Sequence, residues 1–149
     1  FGSDSGIFSI PAMFRKPFAF INFPSLQAIF KCYYSNLSPF IIKRLWHNEK
    51  KHFLTLREIY ESGLADAAHT HIYDNAGVTL IDNTSDEILD LAIEVDDRLK
   101  GHWQPQGDDD ILQKQFWDIL RHFSPHNSDK IITARIGAAF LRKHSDLLD

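Results

Sequence analysis

The chain has 149 residues, 44% of them hydrophobic, and a formal net charge of −4. That length and apolar share suit one domain, or part of a larger one, with a real core in which Phe, at 12 copies, is frequent. The acidic balance offers no basic stripe to a nucleic acid, no apolar run approaches the roughly 20 residues of a membrane span, and the single cysteine, Cys32, can close no internal disulfide, so a reducing compartment is the default.

The chain starts at Phe1 with neither an initiator Met nor the pattern of a signal peptide. Phe1 reads as the end of a strand, so a fragment is expected. The small polar loop Gly2-Ser3-Asp4-Ser5-Gly6 follows. Ile7, Ile10 and Phe14 then recur at helical spacing. Pro11 leaves two options open: Ser9 caps a helix with Pro11 in its first turn, or a kinked helix starts at Ser5.

After Lys16-Pro17, the run 18–23 is aromatic and β-branched and predicts a buried strand ended by Pro24. Ser25 to Ser38 is mixed, irregular or a short helix. Phe40-Ile41-Ile42 is a short apolar run ahead of Lys43-Arg44-Leu45-Trp46. Thr55 with Glu58 fits a capping box, and Gly63 stops the helix it opens. His69 to Ala76 is polar and turn-like.

Gly77 to Asp82 predicts the next strand. Thr84 with Glu87 makes a second capping box, followed by an apolar stripe of Ile88, Leu91, Ala92, Val95 and Leu99, with Gly101 past the end. Asp108-Asp109-Asp110 opens another helix, carrying Ile111, Leu112, Phe116, Ile119 and Leu120, and Ser124-Pro125 ends it. The tail from Ile131 to Leu148 is expected to be helical in one or two short pieces. The loop Gln104 to Asp110 is the expected hinge between a sheet-bearing part, 1–103, and terminal helices, 108–149.

Alternating apolar strands and helices predict an α/β fold with parallel strands: a partial Rossmann-like sheet with flanking and C-terminal helices, its other strands upstream. In such sheets ligands sit beyond the carboxyl ends of the strands. A loop of small residues before a helix suits an anion there, through backbone N–H groups and the helix dipole. Gly2, Ser3, Ser5 and Gly6 are of the right type. Asp4 would repel a phosphate and fits better as an acceptor of loop amides or a cap. A plain capped turn explains the same residues.

The order of several short motifs carries a family resemblance across nearly the whole chain. They are Asp4-Ser5-Gly6, Ile10-Pro11-Ala12-Met13-Phe14, Lys16-Pro17, Asn22-Phe23, Lys43-Arg44-Leu45-Trp46, and Phe53-Leu54-Thr55 with Glu58. Further on come Gly77, Asp82-Asn83-Thr84 with Glu87-Ile88, Ile136-Gly137, Phe140-Leu141-Arg142 and Leu147-Leu148. The segment resembles the second Rossmann-like domain of GT-B-type glycosyltransferases and nucleotide-sugar 2-epimerases. It is most similar to a family of bacterial glycosyltransferases assigned to surface-polysaccharide loci.

The resemblance implies that this half holds a nucleotide-sugar donor, with Ser3, Ser5 and Gly6 meeting the diphosphate. It implies no metal or other cofactor, a glycan or lipid-linked acceptor, and an N-terminal domain that supplies the catalytic base. A cytoplasmic location, extending to the periphery of the inner membrane, goes with it. One departure stands out: the epimerase-like proteins place acidic residues shortly after D-S-G, where this chain has Phe8, Ser9 and Ile10.

Other residues are weighed on their chemistry. Of Lys43 and Arg44, Arg44 suits a leaving diphosphate better because its planar fork matches phosphate oxygens; a solvated basic pair is the plainer account. Thr84 could reach a ligand, although capping explains it fully. His69, His71 and Asp74 lack the spacing of a metal site and read as a surface loop. His47 and His52 have the residue type of a general base. Asp108 to Asp110 complement a helix dipole, and Trp46, Trp103 and Trp117 read as core or interface aromatics. The expected function is transfer of a sugar from a nucleotide-diphosphate donor. The alternatives are a 2-epimerase-like enzyme and a non-catalytic docking domain.

Overall fold

The computed structural model describes residues 9–14, 16–23, 25–30, 39–125 and 134–149. The fold is mixed α/β, with two small sheets, one parallel and one antiparallel. Helix α1 is Ser9–Met13, which places Pro11 in its first turn, where the missing N–H costs no helical hydrogen bond. Strand β1 is Phe20–Phe23, and α2 is the short helix Leu26–Ile29.

Strand β2, Phe40–Ile42, runs parallel to β1, with Phe20 opposite Phe40 and Phe23 opposite Ile42. All of its residues are buried, as the uninterrupted apolar run demands. Its other edge meets Ile136 in an isolated parallel bridge: the Phe40 N–H donates to Arg135 O at 3.0 Å and the Gly137 N–H to Phe40 O at 2.8 Å.

The second sheet has the order β4-β3-β5, from β3 Arg44–His47, β4 His52–Phe53 and β5 Val78–Ile81, all antiparallel. Beyond the apolar run, β3 starts at Arg44, and the chain folds back through residues 48–51. That turn has no Gly or Pro to announce it; Lys51 takes the left-handed conformation, at φ 57°. One expectation changes here: the strand at 77–82 is not a further parallel strand, because β5 pairs antiparallel with β3 from Arg44↔Ile81 to His47↔Val78.

Helix α3, Leu56–Glu61, has the expected capping box at Thr55 and Glu58, and Gly63 follows its end at φ 75°. A 3-10 turn, Leu64–Asp66, leads to α4, Thr70–Asn75, where a polar turn was expected. Tyr73 accounts for the difference. It is buried, and its hydroxyl donates to Ala67 O at 3.0 Å, so one anchor holds a helix whose composition does not predict it.

Helix α5, Ser85–Lys100, buries Leu91 and Val95 as expected. Leu99, however, is 51% exposed, and Glu87 and Glu94 take the inward positions. Helix α6, Asp109–Phe123, likewise turns Ile111 outward and buries Asp109 and Gln113. In both helices the inward polar groups are held by partners described below, which is what permits their burial. Helix α7, Ala138–Lys143, and a 3-10 turn, Ser145–Leu148, fit the expectation of short helical pieces in the tail.

The core centres on β2. Phe40 lies 6.4 Å from Phe23, 6.1 Å from Phe116 and 6.1 Å from Trp117, ring centre to ring centre. Gly137 is required by close approach, since a Cβ there would sit 2.9 Å from Ile41 Cγ2 and 3.1 Å from Leu91 Cδ1. No helix among the described residues is long and apolar enough to cross a membrane.

Candidate functional site

The carboxyl edge of the β1–β2 pair is where the topology directs attention. Asn22 lies there in the left-handed conformation, at φ 54°, which Asn tolerates better than most residues. It exchanges two short hydrogen bonds with Asn83: the Asn22 N–H donates to Asn83 Oδ1 at 2.6 Å, and the Asn83 N–H to Asn22 Oδ1 at 2.6 Å. Asn83 also donates through Nδ2 to Ile42 O at 2.8 Å. Beside this lock, the Lys43 N–H donates to Phe23 O at 3.0 Å, and Lys43 Nζ pairs with Asp82 at 2.5 Å. One buried amide thus ties the ends of both parallel strands to the entry of α5.

Thr84 is the N-cap of α5. Its Oγ1 accepts from the Glu87 N–H at 3.3 Å, and its own N–H donates to Glu87 Oε2 at 2.9 Å. The Glu87 carboxylate therefore fills the position over the helix N-terminus that an outside anion would want. Its second oxygen accepts from His144 Nε2 at 2.6 Å and Lys143 Nζ at 3.0 Å. Burial pushes the Glu87 carboxyl up. Hydrogen bonds from His144, Thr84 and Lys143 outweigh that and bring it from 4.5 to about 2.

Arg44 closes the other end of this network. Its guanidinium lies 3.9 Å from the centre of the Phe53 ring. Nη1 donates to His144 Nδ1 at 2.8 Å, and Nη2 is paired with Asp146. Among the described residues, Nε is buried without a hydrogen-bond partner. The structure thus brings two of the sequence-derived residues, Thr84 and Arg44, onto one chain of contacts through Glu87 and His144. Ser3, Asp4, Ser5 and Gly6 lie outside the described residues.

Neither Glu87 as a bridge nor His144 is legible as a site residue in the sequence. Glu87 carries only a capping signature. The one signal at His144 is its spacing four residues after Phe140, whose ring it meets edge-on at 4.8 Å.

The other candidates are held locally. His47 and His52 are cross-strand partners with rings stacked 6.3 Å apart, and His52 Nε2 meets Glu58 at 3.1 Å. The Thr55 N–H holds the Glu58 carboxyl below its usual range, burial opposes this, and His52 adds to the lowering. His69 and His71 stack at 5.6 Å at the start of α4. Among the described residues no group of three or more His, Cys, Asp or Glu side chains could hold a metal ion.

Two clefts are open elsewhere among the described residues. One, of about 280 Å³, lies between the end of α5 and the starts of α6 and α7 and is lined by Glu94, Asp97, Trp103, Asp109 and Arg142, among others. Its inner carboxylates are already engaged. Glu94 accepts from Arg98 at 2.9 and 2.7 Å and from the Ala138 N–H at 2.7 Å, while Asp109 is paired with Arg142 and accepts from the Gln106 N–H at 2.7 Å. The other, of about 350 Å³, lies beside the hairpin and includes His47, Lys50 and Glu58. No protein-family model, curated protein or solved structure matches this chain.

Proposed function

We propose that this chain is the donor-binding half of a GT-B-like glycosyltransferase, which moves a sugar from a nucleoside diphosphate to a glycan or lipid-linked acceptor. The observation that carries the reading is the order of parts: a Ser-Asp-Ser-Gly sequence, a short helix, a Lys-Pro pair, and a strand lying parallel to its successor. A Rossmann-like arrangement of the whole domain belongs to the same proposal.

In the reaction an acceptor oxygen bonds to the anomeric carbon, and the bond from that carbon to the diphosphate oxygen breaks. Negative charge grows on the departing nucleoside diphosphate. Amides and hydroxyls of Ser3, Ser5 and Gly6 would meet that charge, with Asp4 ordering the loop. Arg44 and Thr84 are assigned to the rim of the site. Arg44 would reach phosphate by giving up its present partners Asp146 and His144. Calorimetric titration of the chain with UDP, GDP and CMP tests the proposal. Heat is expected with at least one of them and is lost in Ser5→Trp; no heat with any of the three overturns it.

A second reading, a non-catalytic domain that docks another protein chain, is favoured by α1. Ile10, Met13 and Phe14 are 55%, 78% and 70% exposed and follow helical spacing. Met13→Ser with Phe14→Ser would abolish docking and leave nucleotide binding intact, whereas Ser5→Trp would do the reverse.

A further inference from the structure

At the carboxyl edge of β1 and β2 the main chain is already satisfied. Phe23 O accepts from the Lys43 N–H, Ile42 O accepts from Asn83 Nδ2, and the Asn22 and Asn83 N–H groups donate to each other's side-chain oxygens. What this edge can offer a ligand is therefore side chains. Asn22 Oδ1 is taken by the Asn83 N–H, which leaves its Nδ2 over, without a hydrogen-bond partner among the described residues. Lys43 Nζ and Asp82 hold each other at 2.5 Å, with side chains 24% and 68% exposed. An ion pair so open to water contributes little to stability and parts readily. Arg44, next in the chain, has a side chain only 10% exposed and is held by the Phe53 ring, His144 and Asp146. Drawing it away would break all three contacts at a buried charge.

We propose that the donor splits the Lys43–Asp82 pair: Lys43 Nζ and Asn22 Nδ2 turn to its diphosphate oxygens, and Asp82 accepts from vicinal hydroxyls of the same molecule. Each charge exchanges one partner for another, so neither is left alone at the edge. A phosphate by itself would satisfy Lys43 and set the Asp82 carboxylate against an anion. A cation by itself would satisfy Asp82 and repel Lys43. The ligand class that suits both is a sugar or nucleoside carrying a diphosphate. Lys43, rather than Arg44, is then the cation that meets the leaving group, a compact ammonium on a long stem that can follow the departing charge. This inference rests on the glycosyl-transfer reading and adds to it the side chains that divide the donor between them.

Calorimetry on the intact chain tests it with inorganic pyrophosphate, UDP and GDP. Lys43→Met should weaken pyrophosphate and nucleotide alike, by about tenfold or more, the usual effect of losing a charged hydrogen bond. Asp82→Ala should bind pyrophosphate at least as tightly as the native chain, because Lys43 is released, while the nucleotide's advantage over pyrophosphate shrinks by about tenfold. If the native chain binds UDP or GDP and Lys43→Met binds it equally well, the inference is overturned and the donor reading stands. The same holds if Asp82→Ala weakens pyrophosphate as much as Lys43→Met does, since the pair would then be acting as a structural unit. No binding of pyrophosphate or nucleotide by the native chain overturns both. Should Lys43→Met not fold, the Lys43 side-chain NMR signals of the native chain decide the matter. They are expected to move as pyrophosphate is added, and signals that stay in place overturn the inference.

Discussion

The molecule is held together in two unlike ways. Around β2 the contacts are dry: Phe20, Phe23, Phe40, Phe116 and Trp117 pack as aromatic neighbours with ring centres about 5 to 6 Å apart, edge-on or tilted. Along the seam between α5, α6 and α7 they are polar. Glu87, Glu94, Asp109 and Gln113 point inward and are met by Lys143, His144, Arg98, Arg142 and main-chain groups. The dry centre tolerates small errors of angle, whereas the seam requires each partner to be present. A buried carboxylate without its partner costs more than a missing methylene.

Substitutions can push the two regions apart. Phe40→Ala should be the most damaging, at about 3–5 kcal/mol, because it empties the middle of the aromatic cluster. Urea unfolding would read this, and a loss under about 1 kcal/mol would mean the dry centre is not the principal support.

The seam should reveal itself in acid. Glu87 has a folded-state pKa lowered from 4.5 to about 2. Its stabilisation is therefore full above its unfolded value and disappears as pH falls from about 4.5 through about 2, with about 3 kcal/mol at stake. Unfolding followed from pH 6 to pH 2 should show that loss in the native chain and a smaller one in Glu87→Gln. Identical slopes would remove Glu87 from the account.

Gly137→Ala probes the place where the two regions meet. Its new methyl would press on Ile41 and Leu91 and should cost about 1–3 kcal/mol, read as a lowered melting temperature. Thr55→Ala, which removes a cap remote from both regions, should cost about 1 kcal/mol and leave the acid profile unchanged.

The same contrast explains what the sequence discloses. Both capping boxes, both helix-stopping glycines and the β1 and β2 runs are local patterns, and each is found in place. The inward faces of α5 and α6 are not local. Ile88 to Leu99 reads as an apolar stripe, yet Leu99 is exposed, and Glu94 points inward, where it accepts from the Ala138 N–H, 44 residues away. The hairpin at 44–53 has no turn residue to announce it, so the antiparallel direction of β5 is hidden as well. Of the candidate site, Thr84 and Arg44 were visible by residue type. Glu87 and His144, the groups that connect them, are 57 residues apart, and nothing in either neighbourhood announces the other.

The bridge from Phe40 to Ile136 has a consequence for how the chain is made. β2 receives one neighbour from the segment just before it and the other from Ile136, far along the chain. Such a long-range pairing delays closure of the sheet until the segment around Ile136 has been made. Until then β2 carries an open, wholly apolar edge, the kind of surface that recruits a wrong strand. A chain ending at residue 125 should therefore aggregate at concentrations where the intact chain stays dispersed; light scattering that finds the two alike would dismiss the idea.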